Sequence, residues 1–423
     1  MSKDKEIRAH SYYIFLFYHK VLLTPPFCIY LFCVNCTGFP VSFQADLNLN
    51  LFFCYVCIVK KTSRHVRMKP IRKILVIRFR QIGDSILAIA LCSTLKRSFP
   101  TAEVHFVVNK NIAPLYEGHP DIDKIFTFDK NENKPFHVYI KKVWQVVHQN
   151  QYDVIIDMRS TIRTLLFSLF SLHTPFRIGR IKGYTRFLLN YPIDTYNKSL
   201  NIDMVQRDLL LATPLETIAP ITYTKDFKLY ITDTEKEEFR EYMINKGIDF
   251  SRPIFLIGVT TKLAHKKWNQ KFMLDILRRI LKEHNDIQMI FNYAPGHEEE
   301  DAKNIYNALG CPDNIKINIQ ASSLRQLAAL AANSTFYFGN EGGARHIIQA
   351  LGIPSFSIFS PSASKSMWLP NNSTFAEGIS ADDILPQQKQ AEMTYEQCFD
   401  SITPKEVYKR LNPIILKLKK NQL

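Results

Sequence analysis

Apolar residues follow two alternating patterns from residue 73 onward. Short runs of aliphatic, β-branched and aromatic residues predict buried strands, and longer stretches with apolar residues every three or four positions predict helices. Strands are predicted at residues 73–77, 103–108, 124–128 and 153–156 and, after the pattern restarts near residue 222, at 253–258, 288–291, 334–338 and 354–359. Helices are predicted between them, among others at residues 138–149, 270–283, 297–308 and 323–332. Strands that alternate with helices form parallel sheets covered on both faces, so we expect two doubly wound α/β halves facing a cleft.

The first 67 residues do not share this pattern. Their apolar runs, at residues 11–18 and 51–59, are shorter than the ~20 residues that a membrane-spanning helix needs. The pairs Cys33-x-x-Cys36 and Cys54-x-x-Cys57 have a spacing that suits a zinc ribbon, but their surroundings are apolar and aromatic. A weak membrane anchor is a better interpretation. We favour a third one, in which translation begins at Met68 and residues 1–67 lie outside the functional fold.

The charge of the chain indicates an anionic partner. There are 54 Lys and Arg against 39 Asp and Glu, which gives a net charge of +15. Nucleotides, acidic glycolipids, membrane surfaces and nucleic acids all fit such an excess. The densest basic stretch, residues 60–80, is better explained as a solvated or juxtamembrane segment than as a nucleic-acid site. Cys92, Cys311 and Cys398 are the only cysteines after residue 57, which favours a reducing compartment.

A glycine turn joins the strand predicted at 334–338 to a helix. Gly342 and Gly343 stand at the start of that helix, where bare backbone N–H groups and the helix dipole favour an anion. A phosphate is the natural ligand, although an ordinary turn that binds nothing is an equally good interpretation. His346 lies on the first turn of the helix; a lone histidine is more often structural, but beside a diphosphate it could donate a hydrogen bond.

The end of the first predicted strand carries a carboxylate instead of a dinucleotide-binding motif. The segment Arg78-Phe79-Arg80-Gln81-Ile82-Gly83-Asp84 lacks G-x-G-x-x-G, which argues against a nicotinamide or flavin enzyme. Asp84 either caps the following helix, which the capping preference favours, or acts as a general base facing the cleft.

Two further strand ends carry polar residues. Thr260, Thr261 and Lys266 follow the strand at 253–258, and two hydroxyls with an ammonium suit a diphosphate. The alternative for this segment is a solvated basic loop. Glu298 follows the strand at 288–291, where a carboxylate can accept from ribose hydroxyls or simply favour a helix first turn.

Taken together, these segments resemble family 9 glycosyltransferases, the bacterial lipopolysaccharide heptosyltransferases, from about residue 70 to 400. The matching motifs are Gln81-Ile82-Gly83-Asp84, Lys266-Lys267-Trp268 after a Thr-Thr pair, and residues 340–347. The last motif keeps the glycine and histidine of the family, Gly343 and His346. It departs from the family at Glu341, Gly342 and Ala344, where the family usually has Asp, Ser or Thr, and Pro.

The resemblance implies a GT-B fold of two Rossmann-like domains and an inverting, metal-independent glycosyl transfer without a cofactor. Asp84 then maps onto the catalytic base. The donor, ADP-heptose or a similar nucleotide-sugar, would be bound by Thr260, Thr261, Lys266, Glu298, Glu341, Gly342, Gly343 and His346. The acceptor would be an anionic lipid-linked saccharide, bound by Arg163, Arg177 and Arg180, although the latter two could also belong to a solvated loop.

We therefore expect an acceptor-binding domain at 68–222, a nucleotide-sugar domain at 223–403, and a helix at 404–423 that packs back on the first domain. The expected location is cytoplasmic, at the cytoplasmic face of the inner membrane, with no nucleic-acid partner. Two alternatives remain: another nucleotide-sugar enzyme on the same fold, such as an epimerase, and a non-catalytic nucleotide- or carbohydrate-binding protein.

Overall fold

The computed structural model describes residues 70–129, 131, 135–197, 200–370 and 375–420. The paired cysteines, the weak anchor and the start at Met68 were predicted for positions outside these described residues.

The first half is built on a six-stranded parallel sheet in the order β3-β2-β1-β4-β5-β6. The strands are β1 Lys73–Ile77, β2 Glu103–Asn109, β3 Lys124–Phe128, β4 Val154–Asp157, β5 Phe176–Arg180 and β6 Tyr191–Ile193. The helices are α1 Ile82–Leu87, α2 Ile89–Ser98, α3 Phe136–Asn150, α4 Ile162–Leu169 and α5 Met204–Leu209.

The second half repeats this architecture, with the order β12-β11-β10-β7-β8-β9. Its strands are β7 Ile254–Gly258, β8 Gln288–Phe291, β9 Ile315–Lys316, β10 Phe336–Asn340, β11 Ser355–Ile358 and β12 Ala376–Ile379. Its helices are α6 Asp233–Asn245, α7 Gln270–Glu283, α8 His297–Ala308, α9 Leu324–Ala332, α10 Gly343–Ala350, α11 Lys365–Trp368, α12 Gln387–Ala391, α13 Tyr395–Asp400 and α14 Pro404–Lys420. The predicted fold class, two doubly wound parallel sheets, is confirmed.

Alternate residues of the central strands face opposite layers, as the two-residue period of a strand requires. In β1, Leu75 and Ile77 pack with residues of α3 and α4, whereas Ile74 and Val76 pack with residues of α1, α2 and α5. All four side chains are fully buried, which explains why residues 74–77 are all apolar rather than alternating with polar residues.

The C-terminal helix α14 packs on the second half. Val407, Leu411 and Ile415 are buried in the same core cluster as residues of α7, and the Tyr408 hydroxyl donates to Glu283 at 2.7 Å. The prediction that this helix packs back on the first domain is therefore wrong. The helix would bury the same apolar stripe against the first or the second half, so the sequence pattern does not show which of the two halves it packs on.

The strand order reverses at equivalent places in the two sheets. β1 lies between β2 and β4, and β7 lies between β8 and β10. Ligands of doubly wound sheets bind beyond the carboxyl ends of the strands at this reversal. In the second sheet, a Cβ on Gly339 of β10 would overlap the backbone of Gly258 of β7. The loops after β1, β4, β7 and β10 are therefore the first places to look for a site.

Candidate functional site

Asp84 is the third residue of α1 and is not its cap. Gln81 holds the N-cap position, and the Asp84 carboxylate accepts a hydrogen bond from the Arg78 side chain at 3.0 Å. The prediction that Asp84 caps the helix is wrong. The carboxylate is instead held at the carboxyl end of β1 by a side chain from the same loop.

Arg78 lies at the centre of a buried charge network. Its guanidinium pairs with Asp84 at 3.0 Å and with Asp208 of α5 at 3.3 Å, and Asp208 pairs with Arg180 at 2.7 Å. Arg78 also donates to the Met158 carbonyl at the end of β4. Side-chain exposure is 1% for Arg78 and 12% for Asp84, the most exposed of the four charged groups. Two arginines and two aspartates balance each other, which makes their burial tolerable.

The pairing of Asp84 leaves one carboxylate oxygen available. Arg78 and Arg80 both pair with Oδ1, at 3.0 and 3.8 Å. Among the described residues, none hydrogen-bonds Oδ2. The charge network was not predicted from the sequence. Arg78 could have been suspected because it directly follows a strand, but nothing in the local sequence marks Asp208 as its partner.

Of the three predicted acceptor arginines, only Arg163 is accessible. It is exposed on the first turn of α4, where its guanidinium lies 5.5 Å from the centre of the Tyr139 ring. Arg180 is 3% exposed and belongs to the charge network. Its predicted direct contact with the acceptor does not fit this burial.

Arg177 is a structural residue of β5, so its predicted role in acceptor binding is wrong. It is fully buried and donates to the carbonyls of Leu172, Thr174 and Leu188. Burial lowers its pKa to about 10. The guanidinium gives its hydrogen bonds to these backbone oxygens and to the side-chain oxygen of Asn190, so it does not reach a ligand.

In the second half, Asn340 joins the two loops of the reversal point. Its side-chain oxygen accepts from the backbone N–H of Trp268 at 2.7 Å, and its amide donates to the carbonyls of Gly258 and Val259. Trp268 is 1% exposed, and its indole donates to the Ile402 carbonyl. The segment from Thr260 to Lys266 is thus anchored at both ends beside β10.

The predicted donor residues lie in contact with one another. Lys266 pairs with Glu341 at 2.8 Å, and the Thr260 hydroxyl donates to Glu298 at 3.1 Å. A Cβ added to Gly342 would lie 3.7 Å from the hydroxyl oxygen of Thr261, so this hydroxyl is a neighbour of Gly342. Glu341 is buried, whereas the side chain of Lys266 is 23% exposed. Lys266, Glu341 and Thr261 thus lie together at the N-terminus of α10, and Thr260 pairs with Glu298 from the loop after β8.

The helices α1 and α10 bring the two halves together. A Cβ on Gly343 would lie 3.3 Å from Ile82, and a Cβ on Gly83 would lie 2.5 Å from the His346 ring. His346 is 3% exposed, and Arg345 donates to its ring. The pKa of His346 lies well below its usual range, chiefly because the ring is buried and also because Arg345 and Lys266 are positively charged. The His346 ring therefore stays neutral, and it packs from α10 against α1, the helix that carries Asp84.

We expect Gly83→Ala to damage this contact. The added methyl group would overlap the His346 ring, which is held from behind by Arg345, so α1 and α10 must move apart. Overpacking of this kind costs about 1–3 kcal/mol of unfolding free energy. Denaturant unfolding measures this loss, and the double variant Gly83→Ala/His346→Ala should regain part of it.

Gly183→Ala is the matched control for this substitution, since a Cβ at Gly183 meets nothing within 4 Å. An equal loss of stability in both variants, or no coupling with His346→Ala, would show that the Gly83–His346 contact is not what the substitution disturbs.

Residues 140–396 match the model of glycosyltransferase family 9 (heptosyltransferase). The chain belongs to this family. Lipopolysaccharide heptosyltransferase 1 of Campylobacter coli is 24% identical over 294 residues, which cover 68% of this chain and 83% of the relative. Membership of family 9 makes the protein a glycosyltransferase, as the motifs predicted.

Solved structures of family 9 proteins share the fold. The family 9 glycosyltransferase of Veillonella parvula superposes with a TM-score of 0.71 at 15% identity, covering 84% of this chain and all of the other. The E. coli ADP-heptose lipopolysaccharide heptosyltransferase II superposes with a TM-score of 0.64 at 20% identity, covering 82% of this chain and 99% of the other. The GT-B assignment is therefore confirmed.

In the part of the chain that the structure describes, no three His, Cys, Asp or Glu side chains are grouped as ligands for a metal ion. No helix among these described residues combines the length and the apolar character needed to cross a bilayer.

Proposed function

We propose that this enzyme is an inverting, metal-independent transferase that moves a sugar from a nucleotide-sugar to an anionic, lipid-linked saccharide of the lipopolysaccharide core. Heptose, from ADP-heptose, is the donor that the names of its relatives favour. The observation that carries the proposal is the contact between α1 and α10. This contact brings α1, which carries Asp84, against the first turn of α10, where the diphosphate would bind.

The diphosphate of the donor would bind at the N-terminus of α10. Gly342 and Gly343 are only partly buried and expose backbone N–H groups there, and the helix dipole adds positive potential. The Lys266 ammonium has three N–H donors and gives one of them to Glu341, so two remain for phosphate oxygens. Glu341 thereby orients Lys266 and need not compete with the ligand. Thr261 would add a hydroxyl donor to the phosphates. Thr260 gives its hydroxyl proton to Glu298 and would orient that carboxylate, which would accept from the ribose.

Asp84 would act as the general base. Its free Oδ2 takes the proton of the acceptor hydroxyl while that oxygen forms a bond to the anomeric carbon on the face opposite the diphosphate. The bond between the anomeric carbon and the phosphate oxygen breaks, and the nucleoside diphosphate leaves with the electron pair. Attack from the opposite face inverts the configuration.

The charge that develops on the leaving group is met by groups already in place. Lys266 and the start of α10 stabilise the diphosphate without having to reorganise, which is the usual source of large electrostatic rate effects. These fixed positive groups would serve in the role that a divalent cation has in other transferases. Arg163 and Arg159, at the carboxyl end of β4, would face the acidic groups of the acceptor.

Lys266→Ala is expected to weaken the binding of ADP or ADP-heptose about tenfold or more, because it removes a charge-assisted hydrogen bond to phosphate. Isothermal titration measures the change. Lys267→Ala is the matched control, since the Lys267 ammonium pairs with Asp301 at 2.7 Å and its side chain is equally exposed, at 24%. Similar losses in the two variants would remove Lys266 from the phosphate site.

The proposed function is tested by offering the protein a panel of nucleotide-sugars. A donor that binds the native state raises the melting temperature, so ADP-heptose should stabilise the protein more than GDP- or UDP-sugars do. The best ligand should then yield free nucleoside diphosphate only when an acceptor saccharide is present. Stabilisation by none of them, or release of a 2-epimer in place of a transfer product, would contradict the proposal.

A further inference from the structure

A second contact between the halves lies at the start of α9. The guanidinium of Arg325 donates to both carboxylate oxygens of Glu235 on α6, at 2.5 and 2.7 Å, and to the carbonyl of Tyr230 at 2.8 Å. It also donates, at 3.4 Å, to the carbonyls of Pro114 and Glu117, which lie between β2 and β3 in the first half. One side chain therefore binds the first half, the second half and the segment that connects them.

The chemistry of Arg325 suits a fixed contact. A guanidinium is planar and presents five N–H donors in a rigid fork, whereas an ammonium is a point charge on a flexible stem. Its partner is also held in place, since the backbone N–H and the hydroxyl of Thr232 donate to Glu235 at 2.8 and 2.9 Å. The hydrogen bond from Arg325 is the main reason why the pKa of Glu235 falls to about 2, so the pair stays charged at neutral pH.

The connecting segment is held from both sides. Nε2 of His119, in the first half, donates to the Lys228 carbonyl at 3.1 Å, and the His119 ring meets the Tyr230 ring edge-on with 5.1 Å between their centres. From the second half, the Ala350 carbonyl at the end of α10 accepts from the backbone N–H of Leu229 at 2.9 Å. Rotation of one half against the other would therefore break contacts of this segment.

These contacts are separate from the contact between α1 and α10. Ile82 of α1 lies against Gly343, the first residue of α10, whereas Leu229 binds Ala350, its last residue. The helix has eight residues, so the two places are about 10 Å apart. A single contact would let the halves pivot about it, whereas contacts at different places set the angle between them.

The angle between the halves matters for the transfer reaction. Asp84 lies on the first half and the donor would lie on the second, and a displacement of reacting groups by about 1 Å can slow a reaction about a hundredfold. Neither Arg325 nor Glu235 belongs to the donor cluster or to the charge network around Asp84. An effect of Arg325 on transfer would therefore act through this angle.

We propose that Arg325 is a positioning residue of this transferase. It fixes the angle between the halves, so that Asp84 faces the sugar held at α10. The inference rests on the proposed function, because it takes Asp84 as the base, and it gives Arg325 no contact with either substrate.

Arg325→Met in the full chain tests the proposal. The variant should bind ADP within about twofold of the wild type, because the donor cluster is untouched, and its kcat for transfer should fall about tenfold. The matched control is Arg252→Met. Arg252 also donates to two backbone carbonyls and one side-chain oxygen, but these belong to Asn285, Asp286 and Asn314, all in the second half. The control should keep the wild-type kcat.

A distance measurement reads the angle directly. Spin labels carried by p-acetylphenylalanine can replace the exposed Trp144 on α3 and Leu416 on α14, one in each half, without using the cysteines of the chain. Pulsed electron paramagnetic resonance should give a broader distance distribution for Arg325→Met than for the wild type or Arg252→Met. This readout needs no substrate, so a failure of the positioning role is distinguished from a failure of the transferase proposal.

Glu235→Gln is a second, milder variant, because glutamine keeps the helix cap but loses the charge. It should lower kcat in the same direction, and combining it with Arg325→Met should add little further loss. The melting temperature shows which variants are folded, and Glu235→Gln carries the test if Arg325→Met is not. An unchanged kcat with an unchanged distance distribution, or equal losses in Arg252→Met, would overturn the role of Arg325.

Discussion

Asp84→Asn is expected to slow sugar transfer about a thousandfold, since a positioned general base contributes roughly 10²–10⁴ to a rate. The amide has the size of the carboxylate and can still accept from Arg78, so α1 should keep its place. It cannot take the proton of the acceptor hydroxyl. In the proposed site, the nucleoside diphosphate would bind on the other half, around Lys266 and α10. Its affinity should therefore stay within about twofold, because the substitution removes an interaction made only during transfer. Turnover with saturating donor, together with ADP titration, measures both quantities.

The control for this variant is Asp121→Asn. Asp121 precedes β3, at the opposite edge of the same sheet, where it accepts from Ser93. The Asp121→Asn variant should transfer sugar at the rate of the wild type. If Asp84→Asn kept most of the wild-type turnover, another group would have to be the base and the mechanism would be wrong.

Arg78→Met is expected to have the second largest effect. Arg78 is almost fully buried between Asp84 and Asp208. Its removal leaves Asp208 with Arg180 and leaves Asp84 with only the longer pair to the more exposed Arg80. Breaking a buried ion pair in this way costs about 3–5 kcal/mol of unfolding free energy. Transfer should also fall more than tenfold with unchanged donor affinity, because the base is no longer positioned. Denaturant unfolding, kcat and donor titration are the three readouts.

Arg80→Met is a close match for that variant. Arg80 pairs with the same carboxylate oxygen at 3.8 Å, but its side chain is 43% exposed. Exposed pairs contribute at most about 1 kcal/mol, so this variant should unfold nearly like the wild type. Arg78→Lys should restore part of the transfer rate if charge at this position holds Asp84. Equal effects of the substitutions at 78 and 80 would mean that the buried network does not position the base.

The central strands of both sheets could be predicted because they are buried on both faces. Residues 74–77, 254–257 and 336–338 are all aliphatic or aromatic, and no other environment accepts such runs so readily. The polar residues at their carboxyl ends could be located for the same reason. That Asp84, Lys266 and the glycine turn lie at the two reversal points follows from strand order, which is identical in the two sheets.

The arginines of β5 could not be predicted correctly, because their burial depends on distant partners. Arg177 fills its hydrogen bonds with carbonyls as far as Leu188, and Arg180 pairs with Asp208, 28 residues away. In sequence both resemble solvated or ligand-binding cations, since arginine is rarely fully buried. The contact of His346 with Gly83 crosses more than 250 positions and has no local signal either. Contacts between residues distant in sequence, both within the first half and between the halves, are therefore the part of the site that only the structure reveals.

The central claim is that a single cleft holds an activated sugar on one half and a base on the other, so that the acceptor attacks from the face opposite the diphosphate. The most direct measurement is the anomeric configuration of the linkage formed from ADP-heptose and a core saccharide acceptor, determined by nuclear magnetic resonance on product made in the presence of EDTA. We predict a linkage with the configuration opposite to that of the donor. A linkage with the configuration of the donor, or a reaction that EDTA abolishes, would contradict the account.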